Sequence, residues 1–269
     1  MSETDKIFSG SIPALYDRYL GPLLFEPYAT DIAGRLSNLT EGRLLETAAG
    51  TGIVTRALAR AFPYEVQIVA TDLSQPMIDH AATQLSSSRV RWQQADALGL
   101  PFEDISFDAV VCQFGVMFFP DKIKAYREVL RVLKPGARFV FNVWDRIEEN
   151  EFAHLVTGAV KDLFPQDPPM FLARTPYGHH NPEKIRNELQ QAGFTEVKCE
   201  TVVRRSQAGS ARDRAIGYCQ GTPLRNEIEA RDAGRLREAT DAAAKSIAAR
   251  FGVGPVDGKI QAHVIVASG

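Results

Sequence analysis

The nine residues Leu44-Leu45-Glu46-Thr47-Ala48-Ala49-Gly50-Thr51-Gly52 constrain the fold more than any other stretch. An apolar run ends in an acid, a glycine turn follows, and a helical pattern starts at Ile53. In a parallel α/β sheet such a turn falls where the carboxyl end of a strand meets a helix N-terminus. Glycine there lets the backbone approach a ligand without side-chain obstruction. A dinucleotide fingerprint requires Gly-x-Gly-x-x-Gly or Ala. From Gly50 the chain reads Gly-Thr-Gly-Ile-Val-Thr and fails at the third position. The acid ahead of the glycines points instead to a ligand that carries an ammonium group.

Around this turn, strand-like and helix-like segments alternate. Strands are expected at 42–46, 66–72, 90–96, 107–113 and 138–144, and helices at 53–61, 74–85 and 122–133, the last stopped by Lys134-Pro135-Gly136. Ser74 is the expected N-cap of its helix, with Pro76 in the first turn. The alternation predicts an α/β fold with a doubly wound parallel sheet and right-handed crossovers. A helix over 182–193, closed by Gly193, and strands at 196–204 and 261–267 complete the pattern. Two stretches break the rhythm, one rich in aromatics, prolines and histidines and one helical. They are read as insertions over the carboxyl edge of the sheet.

The expected organisation is one domain over 1–269. It comprises an N-terminal helical flap (1–40, broken at Gly21-Pro22), a ligand-binding core (41–145), lid insertions (146–181 and 206–258), and the C-terminal part of the sheet (182–205 and 259–269). The Arg-rich segment from Arg204-Arg205 to Arg214 reads as a solvated loop. Asp108 and Cys112 read as structural, and Gly221-Thr222-Pro223 as a break between lid helices.

Composition narrows the partners. A formal net charge of -2 over 269 residues gives no electrostatic case for nucleic acid or an anionic membrane. No apolar run reaches the roughly 20 residues of a membrane span, and the polar start Met-Ser-Glu-Thr-Asp-Lys precedes no signal-peptide core. Three scattered cysteines suggest reduced thiols and a cytoplasmic location. No metal-ligand pattern is present, and the oligomeric state is left open.

Four features fall at the carboxyl ends of four successive strands: Glu46 with its turn, Asp72, Asp96-Ala97 and Gln113-Phe114-Gly115. One acid per strand end suits a ligand with several hydroxyl and amine donors. A carboxylate at Asp72 has two oxygens to accept two ribose hydroxyls, and Asp96 can accept from an adenine amino group.

With these residues in place, the chain resembles a class I S-adenosylmethionine-dependent methyltransferase of the branch that includes the ubiquinone and menaquinone enzymes. The likeness runs from about Leu44 to Trp144 and includes Ser106-Phe107-Asp108-Ala109-Val110-Val111 and Arg131-Val132-Leu133-Lys134-Pro135-Gly136-Ala137. It implies a Rossmann-like, seven-stranded, mostly parallel sheet with S-adenosyl-L-methionine as cofactor. By the same resemblance Glu46, Thr47, Ala48 and Gly50 hold the methionine end, Asp72 the ribose, and Leu73 and Met77 pack on adenine. Asp96 and Ala97 face the adenine edge, Gln113 and Phe114 line the methyl-donor pocket, and Tyr16 and Tyr19 belong to a Tyr-bearing flap. The family usually has glycine where Ala48 stands. The alanine either fits with φ negative or narrows the approach of the methionine end, and the former is expected.

Methyl transfer is an in-line displacement, so positioning and water exclusion carry most of it. A base serves only if the acceptor must lose a proton, and His154, His179 and His180 are the candidates. Phe118, Phe119, Trp144, Phe152, Phe171 and Tyr177 are candidate walls for a small apolar or aromatic acceptor. A binding protein without catalysis and a nicotinamide oxidoreductase are the rival readings.

Overall fold

The computed structural model describes residues 12–269; the first eleven residues of the expected flap lie outside them. The elements are α1 (Ile12–Tyr19), a π-helical segment (Gly21–Phe25), α2 (Glu26–Arg35), β1 (Gly42–Glu46), α3 (Ile53–Ala61), β2 (Val66–Asp72), α4 (Gln75–Gln84), β3 (Val90–Gln94) and β4 (Phe107–Gln113). They continue with α5 (Lys122–Val132), β5 (Leu133–Trp144), α6 (Glu151–Leu163), α7 (Phe171–Arg174), α8 (Pro182–Ala192), β6 (Glu196–Ala208), α9 (Ala211–Gln220), α10 (Leu224–Arg231), α11 (Leu236–Phe251) and β7 (Val256–Ser268).

The strands form one seven-stranded sheet in the order β3-β2-β1-β4-β5-β7-β6. β1 runs parallel to both β2 and β4, with Leu44 opposite Ile68 on one side and Ala109 on the other. Strand order therefore reverses between β1 and β4, which opens a crevice at their carboxyl ends. Both strands are buried, as the apolar runs Leu44-Leu45 and Ala109 to Cys112 require. The flanking helices present stripes at helical spacing: Ile53, Val54 and Leu58 on α3, and Ala125, Tyr126, Val129 and Val132 on α5. Gly193 takes φ 111° at the C-cap of α8, and Asn181 caps its start by accepting from the Glu183 and Lys184 amides.

Several boundaries depart from the sequence expectation. β5 starts at Leu133, so Pro135-Gly136 lies within the strand. A register shift between Phe107 and Ala109 accommodates the irregular start. β6 continues to Ala208 and β7 begins at Val256, because the two strands pair side by side. Arg205 joins them through Asp257, with Nε 2.8 Å from its carboxylate and Nη2 2.7 Å from its carbonyl. Arg204-Arg205 is thus strand rather than solvated loop. β3 ends at Gln94, two residues early. Gly21-Pro22 does not interrupt the chain's helical course; the Leu24 amide still donates to the Leu20 carbonyl at 2.9 Å. Ser74 occupies the N-cap position of α4 without a side-chain capping bond.

The backbone divides into two compact units. A core unit holds Glu26–Val143, His180–Val202 and Ala262–Gly269; a second unit holds the described residues up to Phe25, Trp144–His179 and Val203–Gln261. In the core unit the signature residues act as joints. Arg131 donates to the Leu100 and Phe102 carbonyls and pairs with Glu128 and Asp104. Asp108 accepts from the Arg43 amide at 2.9 Å and pairs with Lys134 at 2.7 Å. In the second unit Phe152 packs on Phe251, and Glu151 accepts from the Lys259 amide and pairs with Arg250. No helix among the described residues is long and apolar enough to cross a membrane.

Candidate cofactor site

The glycine turn owes its shape to alternating left-handed residues. Ala48 has φ 53°, Gly50 56° and Gly52 78°. The expectation of a negative φ at Ala48 is thus corrected: the turn needs a left-handed residue there, and the chain bears the cost, about 1 kcal/mol for a residue with a Cβ. The Ala48 methyl is accommodated by Gly115 after β4, where an added Cβ would stand 2.4 Å from it. Phe114, next to Gly115, is also left-handed at φ 49°. Two of the three non-glycine left-handed residues among the described ones therefore stand at the carboxyl ends of β1 and β4; the third, Ile105, precedes β4.

The glycines differ in purpose. A Cβ on Gly50 would meet no atom within 4 Å, so its backbone presents an open face. A Cβ on Gly52 would stand 2.7 Å from the Trp92 ring and 3.1 Å from the Ala81 methyl, so that glycine serves helix–sheet packing. Asp72 holds the turn in place. Its two carboxylate oxygens accept from the Gly50 and Ser74 amides, each at 2.8 Å. The Ala49 amide donates to the Thr71 carbonyl at 2.9 Å, and the Thr71 hydroxyl donates to the Glu46 carbonyl at 2.9 Å. Burial raises the Asp72 carboxyl, while the Ser74, Gly50 and Leu73 amides pull it back.

Glu46 is buried to 1% exposure and accepts from the Thr55 hydroxyl on α3 at 2.6 Å. Burial pushes its carboxyl up to about 8; the Asp72 charge adds to the rise, while Thr55 and Arg56 oppose it. Leu73 is half exposed, a large apolar side chain at the rim of the turn. Its carbonyl accepts from the Gln94 amide side chain at 2.8 Å. Met77 is buried in the core. Asp96 is exposed and accepts from the Leu98 amide at 2.9 Å, and Ala97 is buried beside it.

After β4, the Phe114 amide donates to the buried Asn142 side chain at 2.9 Å, and its ring meets Tyr28 edge-on at 5.3 Å. Tyr28 is itself fixed by donating to the Val202 carbonyl at 3.0 Å. Gln113 is half-buried at the strand end. Asn142 and Thr55 escaped the sequence reading. An asparagine inside the apolar run Phe139-Val140-Phe141-Asn142-Val143 was the available signal.

The core unit thus brings together Glu46, Thr47, Ala48, Gly50, Asp72, Leu73, Asp96, Ala97, Gln113 and Phe114 at one sheet edge, with Met77 beneath. Tyr16 and Tyr19 belong to the second unit. There Tyr16 stacks on Phe25 at 5.0 Å, Phe25 lies 6.1 Å from Trp144, and Trp144 lies 5.8 Å from Tyr177. His154 is exposed on α6, His179 is buried in the second unit, and His180 is half-buried in the core unit.

Residues 45–141 match a family model described as a methyltransferase domain. The ubiquinone/menaquinone biosynthesis C-methyltransferase of Idiomarina loihiensis is 29% identical over 190 residues, 65% of this chain and 73% of that one. A demethylmenaquinone methyltransferase of Clavibacter sepedonicus is 43% identical over 99 residues, 36% of this chain and 39% of its own length. Among solved structures, phosphoethanolamine N-methyltransferase 2 of Haemonchus contortus, in complex with S-adenosyl-L-methionine, has a TM-score of 0.62 at 17% identity. The match covers all of this chain and 60% of that one.

Proposed function

We propose that this chain, which belongs to the class I S-adenosylmethionine-dependent methyltransferases, transfers a methyl group from that cofactor to a small acceptor with an apolar or aromatic body. The observation that carries the proposal is the open backbone face at Gly50, clamped by Asp72 and flanked by the exposed Leu73 and Asp96. These groups fit the cofactor's chemistry. Asp72 accepts from backbone amides on both oxygens, and its remaining lone pairs are available to ribose hydroxyls. Leu73 offers an apolar surface for a base, and Asp96 an acceptor for an amino group. Glu46, Thr47, Ala48 and Gly50 receive the methionine end, Met77 and Ala97 support the adenine side, and Gln113 with Phe114 bounds the donor pocket.

When bound, S-adenosylmethionine supplies a methyl carbon made electrophilic by its sulfonium. The chain's own residues orient and exclude water. The left-handed Phe114, pinned by Asn142 and Tyr28, fixes the wall after β4, so no reorganisation is needed when a ligand arrives. Glu46 is held largely protonated near neutral pH and ionises when a cation approaches, which matches the site's charge to an ammonium group. A proton lost by the acceptor goes to solvent or to one of His154, His179 and His180. The relatives named for ubiquinone and menaquinone biosynthesis favour a ring-bearing acceptor.

The test is release of S-adenosylhomocysteine over a panel of phenols, quinols, aromatic acids and amines. Turnover with at least one ring-bearing acceptor supports the proposal. Tight cofactor binding without turnover on any acceptor would reduce the chain to a binding protein, and a fluorescence response to NADH would favour an oxidoreductase.

A further inference from the structure

Arg214 is the largest fully buried side chain among the described residues, at 0% exposure, in a segment whose composition reads as solvated loop. It sits on α9 of the second unit. Nη2 donates to the Ser206 hydroxyl and, at 3.2 Å, to the Gln207 carbonyl. Nε and Nη1 have no partner, which leaves three of the five N–H donors unused. The guanidinium carbon lies 5.0 Å from the centre of the Phe152 ring. Among the described residues no carboxylate pairs with it, and the adjacent Asp213 is engaged by the Ser210 hydroxyl at 2.8 Å.

A guanidinium taken wholly out of water without a counter-charge is costly, several kcal/mol on the order observed for unpaired buried ions. Cation–π contact recovers only about 0.5–2 kcal/mol of that. Burial lowers the pKa of Arg214, and Tyr218, one turn along α9, Tyr177 and Asp213 oppose that shift. Tyr218 is buried, and the Tyr177 ring lies 5.8 Å from that of Trp144. The result is a buried cationic centre with unused donors, the Phe152 ring beside it and the Tyr218 and Tyr177 phenols in its electrostatic neighbourhood.

We propose that Arg214, with Tyr218 and Tyr177, forms an oxyanion subsite of the second unit for a ligand bearing a carboxylate or phosphate on an apolar or aromatic body. The unused donors on Nε and Nη1 pair with the ligand's oxygens as charge-assisted bonds, and Phe152 packs beside the guanidinium. The subsite belongs to the second unit alone and does not depend on the methyltransferase reading.

The full chain is titrated calorimetrically with benzoate, hexanoate and inorganic phosphate, with benzyl alcohol as the neutral control. Arg214→Met and Arg214→Lys are titrated alongside, and S-adenosylhomocysteine is titrated into each protein separately. At least one anion binds the wild type about tenfold or more tightly than benzyl alcohol, Arg214→Met loses that preference, and Arg214→Lys keeps part of it. The carboxylate and phosphate arms tell which oxyanion the site takes. If Arg214→Met does not fold, the wild-type melts decide: an anion raises Tm above the neutral control, or the proposal falls. No preference for any anion in the wild type overturns it and leaves Arg214 as a tie between α9 and β6. Anion binding without S-adenosylhomocysteine binding would keep the subsite and remove the methyltransferase reading; the reverse would remove the subsite alone.

Discussion

Glu46→Gln is expected to stabilise this protein, and by an amount that depends on pH. The carboxyl ionises near 4.5 in an unfolded chain and at about 8 in the fold, where it is buried against Thr55. A carboxyl raised on folding contributes nothing adverse while both states are protonated. Its penalty grows as pH rises from 4.5 to 8, then stays constant. At 1.36 kcal/mol per pH unit the penalty is about 3 kcal/mol at pH 7 and about 1 kcal/mol at pH 5. Glutamine has the shape of the protonated acid, and its carbonyl oxygen can still accept from the Thr55 hydroxyl. The variant should therefore melt roughly 6–12 °C above wild type at pH 7, given 2–4 °C per kcal/mol for a chain of this size. Paired melts of wild type and variant from pH 4.5 to 9 check this. The gap should open with rising pH and level off above 8. A constant gap, or a gap smaller at pH 7 than at pH 5, would refute the burial of a protonated Glu46.

Three further outcomes follow from the same geometry. Cofactor uptake should release a proton from Glu46 near pH 7, read as a dependence of the calorimetric enthalpy on the ionisation enthalpy of the buffer; identical enthalpies across buffers would contradict it. Gly52→Ala drives a methyl to 2.7 Å from Trp92 at φ 78° and should cost about 2–4 kcal/mol in urea unfolding, since overpacking and left-handed strain add. Gly115→Ala should cost about 1–3 kcal/mol through its clash with the Ala48 methyl, and Ala48→Gly in the same chain should recover part of that. The recovery is incomplete because Cys112 Sγ also stands 2.8 Å from the new Cβ, and strict additivity in the double-mutant cycle would show that the two sites do not touch.

Much of the core unit was legible because its signals are local. The apolar runs of β1, β2 and β4 and the stripes of α3 and α5 follow from period and composition within single segments. What was not legible depends on partners distant in sequence. Asp72 reads as a ribose ligand, yet its first task is to clamp Gly50, a bond between residues 22 apart. Ala48 reads as a residue that avoids positive φ, and the turn imposes it because Gly115, far along the chain, leaves room for the methyl. β6 and β7 were read short because their outer ends are polar, and pairing with each other extends them. Arg214 lay in a stretch of arginines and glycines that resembles solvent-exposed loop, and nothing local distinguishes the one that packs against Phe152. The histidines illustrate the opposite limit: their residue type suggested a base, and the fold places them in different surroundings.

The most direct measurement of the central claim is a calorimetric titration of S-adenosylhomocysteine into wild type and Gly50→Ala, with a melting curve of each. Gly50 has an open face and φ 56°, so alanine there should cost about 1 kcal/mol of stability while its methyl occupies the space a ligand needs. Wild type should bind, and a Gly50→Ala protein that still melts cooperatively within a few degrees of wild type should not. No binding by wild type, or equal binding by the variant, would contradict the claim.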